Sequence, residues 1–64
     1  MSDFKVRLEE EKAQLNEKIE KLEAFQKSEN FQKIDPVQMT LLNCQTFAMR
    51  TYSQILLERL ARLD

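Results

Sequence analysis

Apolar residues recur along most of this chain at helical spacing. Leu8, Leu15 and Leu22 return every seven residues, and Ile19 joins Leu15 and Leu22 in an i, i+4, i+7 set. The pattern predicts a helix over about residues 3–27, with Phe4 and Phe25 flanking its stripe. Glu and Lys on the polar side stand at i, i+4 spacing, as in Glu17–Lys21, and support an exposed helix face. The acids Asp3, Glu9, Glu10 and Glu11 gather early, where the helix dipole favours negative charge.

Residues 28–35, SENFQKID, interrupt the periodicity. Ser28 is suited to cap a short turn, and Phe31 and Ile34 are expected to fold back over the end of a hairpin. Asp35-Pro36 then marks a helix start. Asp35 is a good N-cap, Pro36 falls at N1, and Gln38 sits at N3, where a capping box wants Glu or Gln. Ile34 at N′ and Met39 at N4 complete a hydrophobic staple.

From residue 36 to about 62 the pattern predicts a second helix. On a helical wheel Val37, Leu41, Leu42, Cys44, Ala48, Met49, Tyr52, Ile55, Leu56, Leu60 and Leu63 share an arc of about 160°. One partner helix covers a narrower stripe than that. Phe47, Leu57 and Met39 lie outside the arc and widen the apolar surface further. A lone hairpin would therefore expose an apolar patch that soluble monomers avoid. The expected fold is all-α: a two-helix antiparallel hairpin, joined by a short connection, that assembles into a helical-bundle homo-oligomer. A dimer or tetramer is favoured.

Composition sharpens this picture. With 64 residues the chain is expected to form a single domain over 1–64, and a core of that size is marginal on its own. The absence of Gly argues against sheets and their tight turns. One Cys and no His exclude an internal disulfide and a Cys/His zinc site, so self-association is the remaining source of stability and no metal or cofactor is expected. The net charge of −1, with acids and bases interspersed, lacks the basic patch of a duplex-DNA binder but leaves room for a small anionic ligand. No run approaches the roughly 18 apolar residues of a membrane span. The start, MSDFKVRLEE, does not read as a signal peptide. A lone thiol suits a reducing cytoplasm.

Catalytic chemistry finds no foothold. There is no Gly-rich phosphate loop, no Ser/His/Asp set and no defensible acid/base pair, so an enzyme is not expected. Cys44 lies on the apolar arc without a general base and is expected to be a buried structural thiol.

Polar groups within the apolar arc carry more information. Gln45, Tyr52 and Arg59 are spaced by seven on one stripe. Their chemistry suits a nucleotide: Arg for phosphate, the Tyr ring for stacking, the Gln amide for base edges or ribose. Across a symmetric oligomer they would converge into a shared pocket. The competing structural reading pairs Arg59 with Glu9 or Glu11, packs Tyr52 on Leu15, and uses Gln45 to fix helix register. Lys12 takes the place between Leu8 and Leu15 where an apolar side chain is wanted. It either extends its amine to the edge or contacts phosphate within an oligomer. Lys27 and Lys33, beside the connection, form a small basic mouth or are simply solvated.

The string RLEEEKAQLNEKIEKLEAF, then Phe31 and Ile34 in an F-x-x-I turn, then LLNCQTFAMRTYSQILLERL, resembles a family of very short phage and prophage proteins first noted in crAss-like phages. Its form is R-hydrophobic-x-x-E, E-L-x-x-K-I-x-K-L-x-x-F, L-L-x-x-Q-x-x-x-M-x-x-Y-x-x-I-L-x-x-R. Arg7, Leu8, Glu11, Leu15, Lys18, Ile19, Lys21, Leu22 and Phe25 match its first half. Leu41, Leu42, Gln45, Met49, Tyr52, Ile55, Leu56 and Arg59 match its second. Gln14 replaces the usual acid. The likeness covers nearly the whole chain, and the Q…M…Y…IL…R string is its least generic part.

Small helical phage proteins of this general kind include sponges that oligomerise and sequester the cyclic nucleotide signals of CBASS or Thoeris defence. The Gly-Tyr-Arg segment of the best-known hexameric sponges is absent here, so their binding residues do not carry over. The phage context that the resemblance implies, joined to the polar stripe, leads to the expectation of a non-enzymatic sponge in the host bacterial cytoplasm that binds a cyclic di- or trinucleotide through Arg59, Tyr52, Gln45 and Lys12 at oligomer interfaces. The alternative is a protein-binding hairpin that engages a host or phage protein through its apolar face.

Overall fold

A computed structural model describes residues 2–63. Helix α1 spans Ser2–Gln26, a 3-10 turn spans Glu29–Lys33, and helix α2 spans Pro36–Ala61. The two long helices lie side by side in a rod of 47 × 15 × 13 Å. Bonds between the helices fix their direction: Gln26 meets Asn43 and Thr46, Glu23 meets Arg50, and Asn16 meets Ser53. Partner numbers fall on one helix as they rise on the other, so the hairpin is antiparallel.

Local chemistry sets the boundaries. Past Gln26 the chain tightens: the Lys27 N–H donates to both Glu23 O and Ala24 O, and the Ser28 N–H to Phe25 O at 3.0 Å. Ser28 does not cap the following turn as expected. Its hydroxyl reaches back instead and donates to Phe25 O at 2.7 Å, closing α1. Phe31 is buried, with its ring edge-on to Phe25 at a centroid distance of 5.9 Å. This aromatic pair forms the plug at the closed end, and Ile34, three residues beyond Phe31, is half-buried.

The start of α2 follows its sequence signals. The Asp35 carboxylate accepts from Val37 N at 3.1 Å and Gln38 N at 3.4 Å, and Pro36 occupies the first turn. These two N–H groups would otherwise lack partners within the helix. The reciprocal bond of a full capping box, from the Asp35 N–H to the Gln38 side chain, does not occur among the described residues. Ile34 and Met39, the expected staple, are both half-buried.

Packing between the helices follows a heptad. Every buried or half-buried residue of α2 belongs to the series 39, 42, 46, 49, 53, 56, 60, which continues to Leu63 beyond its end. Alternating steps of three and four keep one face toward a single partner helix. On α1 the matching series runs through Leu8, Lys12, Leu15, Ile19, Leu22 and Gln26. The core is Leu8, Leu15, Ile19 and Leu56, with Met49, Leu60 and Leu63 packed against it.

Polar residues occupy much of the rest of this seam, and apart from Lys12 they are paired. The buried Thr46 hydroxyl shares its proton between Gln26 Oε1 at 3.2 Å and Leu42 O at 3.0 Å. Ser53 Oγ donates to Asn16 Oδ1 at 2.7 Å, and Gln26 Nε2 donates to Asn43 Oδ1 at 2.9 Å. No described half-buried side chain leaves a buried polar atom without a partner. A mixed α1 face thus selects a mixed α2 face. Each bond contributes about 0.5–1.5 kcal/mol, but leaving one member unpaired costs about 1–3 kcal/mol, so the ladder chiefly enforces register.

Among the described residues no helix is long and apolar enough to cross a membrane. Leu56 is 0% exposed and sits at the centre of the packing. Leu56→Ala should cost about 2–5 kcal/mol by removing its contacts and leaving a cavity. Asp35→Ala should cost about 1 kcal/mol through the lost cap. Urea unfolding followed by circular dichroism measures both. A Leu56→Ala loss below that of Asp35→Ala would contradict this assignment of the core.

Candidate functional site

Exposure on α2 is as regular as burial. The hairpin leaves uncovered a second apolar stripe of Val37, Leu41, Cys44, Ala48, Tyr52 and Ile55, about 120° around the helix from the heptad seam at 100° per residue. Val37 is 64% exposed, Leu41 55%, Ile55 50% and Tyr52 42%. The broad apolar arc expected from the sequence is therefore two faces. One, carrying Leu42, Met49, Leu56, Leu60 and Leu63, packs on α1; the other is bare.

Cys44 lies on the bare face, exposed rather than buried. The expectation of a buried thiol fails because α1 engages the neighbouring face, where Thr46 and Ser53 find polar partners. The same choice of face decides the fate of the three-residue polar stripe. Gln45, Tyr52 and Arg59 are all exposed, so none of them serves as a register-fixing core group. Gln45 Nε2 approaches Met49 Sδ at 3.8 Å within its own helix and does not reach α1. Tyr52 takes no part in the Leu15 core. Register is held instead by Gln26, Asn16, Thr46 and Ser53, which hydropathy patterning counts as surface positions.

Arg59 lies where antiparallel pairing puts it, opposite the first turns of α1. Its guanidinium stands over the Phe4 ring, 5.9 Å from the centroid, within reach of a cation–π attraction. Phe4, Arg7, Leu8, Glu11 and Arg59 line a concavity of about 300 Å³. No ion pair joins Arg59 to Glu9 or Glu11 among the described residues; the Phe4 ring takes that place. The lining thus holds two guanidinium groups, Arg7 and Arg59, and one carboxylate, Glu11.

Within one chain the structure does not gather Gln45, Tyr52 and Arg59 into one pocket. Seven residues of helix separate each successive pair along the axis by about 10 Å, and all three share a convex helix surface. Lys12 occupies its seam position half-buried, with no hydrogen bond or ion pair to its amine among the described residues. This is consistent with a stem lying along Leu8 and Leu15 and an amine that extends to the edge.

A second concavity was not foreseen from the sequence. Glu23, Gln26, Lys27, Asn43, Thr46, Phe47 and Arg50 enclose about 440 Å³ near the closed end. Arg50 forms an ion pair with Glu23 there, and Phe47 stands 74% exposed beside it. Lys27 of the expected basic mouth lines this hollow, whereas Lys33 is exposed on the 3-10 turn and does not. The available signal was Phe47 itself, a large aromatic outside the apolar arc with Arg50 three residues on.

The family comparison bears on the whole of this hairpin. The sequence model of the Sequestin family matches residues 2–62. The chain belongs to the Sequestin family. The match takes in both helices and the connection, and therefore both concavities and the bare face of α2. The family's name denotes sequestration, and membership fits the sponge-like, anti-defence family expected from the sequence. No curated protein matches the chain, and no solved structure does.

The Arg50–Glu23 pair offers a check on how the closed end is held. The Arg50 side chain is largely exposed, so solvent screens the pair. A double-mutant cycle with Arg50→Ala and Glu23→Ala should give a coupling of about 0.2–1 kcal/mol by urea unfolding. A coupling several times larger would show that the ion pair, not the Thr46–Gln26 and Ser53–Asn16 bonds, sets the helix register.

Proposed function

We propose that this Sequestin-family chain is a phage-encoded, non-enzymatic sponge that binds a cyclic di- or trinucleotide immune signal between copies of itself in the host cytoplasm. Gln45, Tyr52, Arg59 and Lys12 supply the binding groups. The observation that carries the reading is the bare α2 face: an apolar stripe that the hairpin leaves open, edged by an amide, a phenol ring and a guanidinium. A nucleotide needs those chemistries for base edge, base face and phosphate. Their axial spacing is too long for one chain to close around a ligand, and apposition of copies would bring two such faces together. The family's sequestering name supports capture without turnover.

The closed-end hollow is the rival seat on the same chain, favoured by an exposed ring and a guanidinium in one concavity. Its Glu23 carboxylate already neutralises Arg50, which weakens its pull on phosphate.

Thermal melts against a panel of cyclic di- and trinucleotides test the proposal. A ligand at 100 times its Kd should add about 2.7 kcal/mol of stability, and chromatography of the released ligand should return it unchanged. Arg59→Ala and Tyr52→Ala should each abolish the shift, and with Arg59→Ala the assembly state survives. A shift retained in both but lost in Phe47→Ala would move the seat to the closed end. No shift with any member of the panel would remove the nucleotide reading in favour of the protein-binding hairpin, and ligand turnover would make the chain an enzyme.

A further inference from the structure

The spacing of the bare α2 stripe has a symmetry of its own. Val37, Leu41, Cys44, Ala48, Tyr52 and Ile55, continued along the same line to the charged Arg59, follow steps of 4, 3, 4, 4, 3 and 4 residues, a series that reads the same from either end. Its midpoint is Ala48, the smallest side chain of the set and also the centre of the stripe around the helix. Val37 to Ala48 and Ala48 to Arg59 are each eleven residues, a repeat that keeps a face nearly straight along a helix instead of winding it left-handedly. The inward heptad seam, continued to Leu63, is also symmetric in spacing, but its midpoint falls between Met49 and Ser53 and not on a residue of the seam.

We infer that the bare face of α2 pairs with the same face of a second copy, antiparallel, about a two-fold axis at Ala48, to make a four-helix bundle. This register deepens the proposed function and rests on its self-association. A two-fold interface requires that residue i meet j wherever j meets i. In this register Leu41 lies level with the partner's Ile55, Cys44 with the partner's Tyr52, Val37 with the partner's Arg59, and Ala48 with itself. Two alanines at the crossing let the backbones approach closely, and larger residues fill the flanks.

Charge suits a second copy, and area is enough for one. Between Val37 and Leu57 the only charged residue of α2 is Arg50, which is turned toward Glu23 on a different side. The paired faces therefore bring no like charges together along their length. A parallel pair would place Arg59 and Arg62 beside their own copies; the antiparallel pair holds the two Arg59 residues about 33 Å apart, one at each end. By contrast α1 is densely charged and suits the outside of a bundle. The chain exposes 5120 Å², whereas a folded monomer of its 7.7 kDa mass is expected to expose about 4,300 Å². The excess is on the order of the 800 Å² that each partner contributes to a standard interface.

Disulfide trapping tests the register. In an Ala48→Cys, Cys44→Ser chain the new thiols face each other at the axis, within the Cα separation of about 4.4–6.8 Å that a disulfide spans. In the unsubstituted chain the two Cys44 residues lie about 12 Å apart along the helices. Mild oxidation should convert most of the substituted chain to a covalent dimer on a non-reducing gel and leave the Cys44 chain uncrosslinked. Sedimentation equilibrium of both chains runs alongside, and circular dichroism confirms that the helices are retained. A sedimenting dimer in which Ala48→Cys does not cross-link, or in which Cys44 does, overturns the register while self-association stands. A monomer at every concentration overturns both.

Discussion

One helix here has two faces fit for burial, and a single chain supplies only one partner for them. Helix α2 offers a mixed face containing Thr46 and Ser53 and an apolar face from Val37 to Ile55. Helix α1 offers a seam that is itself mixed, with Lys12 and Gln26 among its leucines and Asn16 at the margin. Burying Gln26 and Asn16 against the apolar face would leave their amides unpaired, at about 1–3 kcal/mol each. Burying them against Thr46, Asn43 and Ser53 satisfies them. The hairpin therefore closes on the mixed face, and everything proposed about assembly and binding follows from the face that is left.

That choice explains what could be read in advance and what could not. The start of α2 was legible because Asp35 and Pro36 act on backbone groups only one turn away, so no tertiary context intervenes. The seam of α1 was legible because Leu8, Leu15 and Ile19 stand out against charged neighbours. The phase of α2 was not, since hydropathy weighs Thr46 and Ser53 as surface and Tyr52 and Cys44 as core. Their locations are decided by hydrogen-bond partners on α1, which periodicity along α2 cannot contain. Gln45, Tyr52 and Arg59 were recognised as chemically unusual, yet the structure places them outside the hairpin core instead of within it.

Function on this scaffold depends on how little of it is enclosed. Neither concavity approaches a sealed pocket, and the chemistry suited to a nucleotide is strung along a convex helix. Capture by such a surface requires a second wall. A copy of the chain brings a matching apolar stripe, the same aromatic and guanidinium groups, and no opposing charge. Membership of the Sequestin family is consistent with this arrangement, in which several copies can surround a small anion.

Native mass spectrometry of the unsubstituted protein with a cyclic dinucleotide tests this account most directly. The account predicts species of two or more protomers that retain intact ligand, and no ligand on the monomer. A monomer that holds the nucleotide, or an assembly that never does, would contradict it.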